Sequence, residues 1–171
     1  AACCRSGLET AAKAGDSYVM TNDIPHLRRT KRSLPIALLR ARESVMGPIR
    51  EMLATSGVNE QKWRVLRVLQ ERGPSELTQL AAEACLLLPS LTRIARAMEE
   101  DGLISRTTPA DDRRKTIAAI TPAGEALIRA HAAESAGIFA RIERDFGAER
   151  LEQLLDLLEA LQALPREGEK A

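Results

Sequence analysis

The stretch Leu88–Lys115, LPSLTRIARAMEEDGLISRTTPADDRRK, decides how this chain is read. Pro89 suits the first turn of a helix, where its missing N–H would have no intrahelical partner and its φ is already set. Leu91, Ile94, Ala95 and Met98 then recur at three- and four-residue steps. That spacing gathers them on one buried stripe and leaves Ser90, Thr92, Arg93 and Arg96 on the open face. Glu99, Glu100 and Asp101 crowd the last turn, where the helix macrodipole disfavours negative charge, so helix propensity did not select them. Gly102 supplies the left-handed residue that commonly closes a helix, and Leu103–Thr107 reads as a strand. Pro109 and Ala110 are expected to turn the chain, and Thr116 to Ile120 to return as a second strand. Between them Asp111-Asp112-Arg113-Arg114-Lys115 sets two carboxylates against three cations. A hairpin tip needs no such cluster in order to fold. It is either a solvated turn with internal ion pairs or a tip that reaches a phosphate backbone or a minor groove. The helix of hydroxyls and arginines just upstream favours the second.

Working outward, Ser75 is expected to cap a short helix that turns Leu77, Leu80 and Ala81 inward. Ala84-Cys85-Leu86-Leu87 is the turn into the next helix, giving a helix-turn-helix. In that apolar turn Cys85 is read as a small buried hydrophobe. Upstream, Asn59 looks like the N-cap of a helix carrying Trp63, Leu66, Val68 and Leu69, which Gly73-Pro74 ends. A first helix runs from Leu34 with Pro35 in its first turn and Ile36, Leu39, Met46, Ile49 and Leu53 along its apolar side. Gly47-Pro48 predicts a kink or break within it. Downstream, Thr121-Pro122 pairs an N-cap hydroxyl with proline at the first helical position and opens a fifth helix. Leu151, Leu154, Leu155, Leu158 and Leu161 make a strongly amphipathic sixth, ending before Pro165. One domain cannot cover that stripe. The first, fifth and sixth helices are therefore expected to bury it against a second copy, as a two-fold dimer.

These residues resemble the MarR family of winged helix-turn-helix transcription regulators. The resemblance is carried by Ser90-Leu91-Thr92-Arg93, by Leu103-Ile104 after Gly102, and by Asp112-Arg113-Arg114 leading to Ile120-Thr121-Pro122-Ala123-Gly124. The last string is similar to the family's D-x-R wing motif and L-T-x-x-G helix entry, with Ile120 in place of leucine. It extends over Leu34 to Leu164. Ala37-Leu38-Leu39, Ala41-Arg42-Glu43, Gln61-Lys62-Trp63-Arg64 and Cys85 with Pro89-Ser90-Leu91-Thr92 look most like repressors of homoprotocatechuate and hydroxyphenylacetate catabolic operons.

The fold expected is mainly α with a small β-hairpin wing, a winged helix-turn-helix domain plus a helical dimerisation region. Residues 1–33 form an N-terminal extension and basic arm, and residues 34–164 the domain. Within the domain 34–56 and 122–164 are dimerisation helices and 59–121 the DNA-binding part, and 165–171 is a tail. If Met20 is the start of translation, Cys3 and Cys4 fall outside the folded chain.

Composition agrees with that class. Of 171 residues only 2% are aromatic, so the core must be aliphatic and built largely from helix formers. Lys and Arg number 25 against 24 Asp and Glu, a net charge of +1, so DNA affinity must come from uneven placement of charge. Arg28-Arg29-Thr30-Lys31-Arg32 and Arg113-Arg114-Lys115 are basic blocks, whereas Glu149, Glu152, Asp156 and Glu159 are acidic. Three cysteines and no long apolar run predict a cytoplasmic protein without a disulfide framework. With only His26 and His131 and no glycine-rich phosphate loop, neither catalysis nor a metal or cofactor is expected.

The expected DNA contacts are Pro89, Ser90, Thr92, Arg93 and Arg96 on the recognition helix and Asp112, Arg113, Arg114 and Lys115 in the wing. Asp112 is expected to hold the Arg114 guanidinium extended. A dimer would address a pseudo-palindromic operator in double-stranded DNA. The resemblance implies release by a small aromatic or phenolic acid. Arg42, near Met46 on the first helix, is the candidate for its carboxylate, and Trp63 for a place against its ring. The alternative for Trp63 is a core anchor, and for Arg42 an interhelical ion pair. Rival functions are redox sensing through Cys85 and a protein-interaction module without DNA affinity.

Overall fold

The computed structural model describes residues 30–165. The readings made for residues 1–29 and 166–171 lie outside the described residues. A short 3-10 turn, Thr30–Arg32, leads into α1 (Leu34–Leu53). The chain divides into units Ala1–Leu38 and Leu39–Ala171. The core lies in the second.

Of the kink or break expected at Gly47-Pro48, the break does not occur: α1 is helical through Pro48. Proline removes one ladder bond, but Ile49, Met52 and Leu53 just beyond it are buried, and tertiary packing of that face outweighs the local loss. Asn59 accepts the Lys62 N–H at 2.9 Å and starts α2 (Glu60–Arg72).

Ser75 does not cap the following helix. With Glu76 it forms a two-residue strand, β1 (Ser75–Glu76), and its hydroxyl donates to the Gly73 carbonyl at 3.0 Å. Next come α3 (Leu77–Glu83), α4 (Leu88–Glu100), β2 (Ile104–Thr107), β3 (Ile117–Ile120), α5 (Pro122–Phe146) and α6 (Ala148–Gln162). The wing is therefore a three-stranded antiparallel sheet in the order β1-β3-β2, with Ile104 opposite Ile120 and Thr107 opposite Ile117.

The stripes read for α2, α3 and α4 are largely buried, whereas that of α6 is not. Leu66, Leu80, Leu91, Ala95, Met98 and Ala118 are fully enclosed, joining α2, α3, α4 and the sheet in one aliphatic core. Val65 is equally enclosed, although the sequence reading passed over it.

Cys85 departs from its reading, being exposed and the one non-glycine residue with positive φ, 51°, among the described residues. It follows the end of α3, where the Cys85 N–H donates to Ala82 O at 3.1 Å and the Leu86 N–H to Ala81 O at 2.8 Å. That is a Schellman ending, whose left-handed residue turns its side chain outward. Ala84, not Cys85, fills the core there.

The end of α4 and the start of α5 are welded together. Gly102 (φ 71°) takes the same left-handed position that Cys85 takes after α3. The Thr121 hydroxyl donates to Gly102 O at 2.7 Å and accepts the Gly124 N–H at 3.2 Å. A Cβ on Gly124 would lie 2.3 Å from the Leu103 carbonyl oxygen and 2.8 Å from Ile120 Cγ1. Gly124→Ala is therefore expected to destabilise the domain by about 1–3 kcal/mol, as overpacking against backbone does; urea unfolding measures it.

Candidate nucleic-acid interface

α4 turns Leu91, Ala95 and Met98 into the core, so Pro89, Thr92, Arg93 and Arg96 are exposed and Ser90 is half-buried. Thr92 donates its hydroxyl to Leu88 O at 2.9 Å, which leaves the oxygen lone pairs available. Arg93 and Arg96 form no ion pair with any described residue.

The acidic end of α4 is compensated by the fold. Glu99 accepts from the Arg106 backbone N–H at 3.2 Å and from its guanidinium at 3.0 and 2.5 Å. Lys62 Nζ reaches Asp101 at 2.5 Å. These carboxylates therefore tie α4 to β2 and α2. The Arg106 side-chain hydrogen bond outweighs desolvation, and with the charges of Arg106 and Arg96 it holds the Glu99 carboxyl below its usual 4.5. A group lowered in the folded state contributes stability above its unfolded value and loses it as pH falls through the folded one. Wild type and Glu99→Gln should thus differ in urea midpoint at neutral pH and converge as the pH drops below the ordinary glutamate range.

The chain bends at Ala110 and Asp111, where Pro109-Ala110 was expected to turn it, and a second, hydrogen-bonded turn follows at Asp112–Lys115. The Lys115 N–H donates to Asp112 O at 3.1 Å, which closes a four-residue turn with Arg113 and Arg114 at its centre. The expected pairing of Asp112 with the Arg114 guanidinium is not formed. Instead Asp112 Oδ1 accepts the Arg114 backbone N–H at 3.0 Å, the role aspartate fills at the first position of such turns. Both guanidinium groups are exposed and unpaired with described residues. Lys115 is more constrained, with Glu76 at 3.8 Å and Asp112 at 3.9 Å.

The ligand candidates separate. Arg42 pairs with Glu60 of α2, and Arg50 shares that carboxylate at 3.3 Å. Met46 and Trp63 line a cleft of about 450 Å³ with Ile49, Arg64, Arg67, Ile128 and Phe139, and Arg42 is not among its walls. Trp63 is 7% exposed, and its ring meets His131 edge-on at 5.9 Å. It is thus both core anchor and cleft wall. The cation at the cleft that the sequence reading missed is Arg64: its Nε is buried without a hydrogen-bond partner, and its terminal nitrogen is 3.9 Å from Glu60. Only the packing of α1 and α5 around α2 distinguishes Arg64 from its neighbours.

A helix-turn-helix whose second helix exposes arginines and hydroxyls, backed by a cation-tipped sheet, defines a winged-helix DNA-binding protein. The chain belongs to the MarR family, whose model matches residues 58–116. It is 41% identical over 132 residues to the homoprotocatechuate degradative operon repressor of Escherichia coli, covering 77% of this chain and 89% of the relative. The structure of NadR in complex with 4-hydroxyphenylacetate is similar, with a TM-score of 0.71, 34% identity and coverage of 81% and 99% of the two chains. So is that of the repressor CouR bound to a 23-mer DNA duplex, with a TM-score of 0.64, 26% identity and coverage of 77% and 94%. This is a transcription regulator of that family and not an enzyme.

Proposed function

We propose that this chain is a dimeric, cytoplasmic repressor of an operon for aromatic-acid breakdown, released from a pseudo-palindromic operator by a small aromatic or phenolic carboxylate. The observation that carries the DNA half is the presence of two cationic elements whose guanidinium groups form no ion pair with described residues: the Arg93 and Arg96 face of α4, and the turn centred on Arg113 and Arg114. Pro89, Ser90 and Thr92 lie on the same helix, and Lys115 flanks the turn. Arg93 and Arg96 suit guanine O6/N7 or phosphate, and Arg113 and Arg114 suit phosphate or minor groove. Among the described residues no helix is long and apolar enough to cross a membrane, in keeping with action on DNA in the cytoplasm.

Dimerisation is supported by α6, which has no buried residue, with Leu157 69% and Leu155 45% exposed. Residues 34–56 and 122–164 then form the dimerisation part and 59–121 the DNA-reading part. Two copies place their α4 helices in successive major grooves if these stand about 34 Å apart.

The effector reading rests on the cleft beside Trp63. Its volume suits a single aromatic ring, its walls are largely apolar, and Arg64 and Arg67 supply positive charge. In this reading Arg64 takes the carboxylate in place of Arg42, which is occupied by Glu60. An effector that causes release must bind the DNA-incompetent arrangement more tightly. Titration with 4-hydroxyphenylacetate tests this. Arg64→Gln should weaken effector-driven release about 10- to 100-fold, the worth of a charged hydrogen bond, while operator affinity without effector is retained. Unchanged release in that variant would remove the cleft from the reading. Redox control has only the exposed thiol of Cys85, the one cysteine among the described residues, and the relatives support effector control instead.

A further inference from the structure

Leu87 is 78% exposed, more than any other large apolar side chain among the described residues, and Leu88 beside it is 40% exposed. Leu87 is the N-cap of α4, extended at φ −72° and ψ 138°, and its side chain makes no capping bond. Ser, Thr, Asp or Asn at an N-cap binds a free backbone N–H, which leucine cannot do. Neither capping nor core packing therefore explains a leucine here. No acidic residue lies in the first turn of α4, and further along the helix Arg93 and Arg96 are exposed. What covers this tip must be apolar at the centre and anionic at the rim.

A DNA major groove has that character, because thymine C5-methyl groups stand between two phosphate backbones, and a recognition helix meets base edges through its N-terminal residues. We infer that Leu87, flanked by Leu88, is a specificity-determining residue that packs on a thymine methyl in each half-site. The inference rests on the reading of α4 as the DNA-binding helix, and it adds apolar readout of one base to polar readout by the arginines. Leu87 is so exposed that its replacement leaves the core untouched.

The test uses duplexes selected from a random pool by the full-length protein, then resynthesised with deoxyuridine for thymine, one position at a time. At one position in each half-site, loss of the methyl should weaken wild-type binding about fourfold, the transfer energy of one buried methyl. Leu87→Ala should bind the thymine and deoxyuridine duplexes equally, and Leu87→Met should keep most of the preference. Indifference of the wild type to every deoxyuridine substitution, or a preference that survives in Leu87→Ala, overturns the inference and leaves DNA binding intact. A shift of Leu87→Ala from dimer to monomer on sizing also overturns it, because the tip would then be a subunit contact. Failure to select any duplex overturns the DNA-binding reading itself.

Discussion

Leu157→Asp combined with Leu161→Asp should yield a folded monomer that has lost nearly all operator affinity. Both leucines are on α6 and exposed in the single chain, at 69% and 36%, so the substitutions disturb no contact within the aliphatic core of α2, α3 and α4. What they remove is exposed apolar surface of α6; Phe139 and Phe146 of α5 are likewise exposed, at 52% and 43%. Burying a carboxylate in a subunit interface without a partner is costly enough to prevent association. A monomer engages one half-site and forfeits the effective concentration that tethers its twin. The expected loss is about 100- to 10,000-fold in affinity. Light scattering reads the mass, circular dichroism the fold and gel shift the affinity. A variant that stays dimeric with full affinity would place the subunit contact elsewhere.

The second large effect is expected in the wing. Arg114→Ala should cost about 1–3 kcal/mol in each half-site and flatten the salt dependence of binding by about one charge per copy. The geometry of the turn adds a sharper pair of outcomes. Asp112 accepts a backbone N–H and not the guanidinium, so Asp112→Asn, which keeps an acceptor oxygen, should retain operator affinity. Asp112→Ala, which does not, should loosen the turn and weaken binding. If both substitutions weaken binding alike, the carboxylate charge itself positions the arginines, and the turn-building role is wrong.

The elements that determine this fold were largely legible because each rests on local chemistry. Asn59 and Thr121 cap their helices as read, Gly102 closes α4, and the apolar stripe of α4 is buried. Gly124 was visible as part of a motif, but its cause, a Leu103 carbonyl 2.3 Å from where a Cβ would lie, is set by tertiary packing. What escaped depended on contacts distant in sequence. β1 is too short to show a period and exists because Ser75 and Glu76 meet Ala118 and Ile117. Cys85 reads as apolar and therefore buried, yet the hydrogen bonds that end α3 turn it outward. Pro109-Ala110 was read as the tip, and the chain does bend at Ala110, but the hydrogen-bonded turn that Asp112 closes around the arginines was not read. Arg42 and Arg64 were chemically equivalent on paper, and the carboxylate of Glu60, between α1 and α2, claims the first while the second faces the cleft.

The measurement that bears most directly on all of this is the affinity of the intact protein for its own upstream DNA, titrated from about 50 to 200 mM salt. A protein that reads DNA through the cations of α4 and the wing, two copies at a time, should bind as a dimer and lose about 1,000-fold or more across that range. Absence of binding at the lowest salt, or an affinity that salt leaves unchanged, would contradict the account.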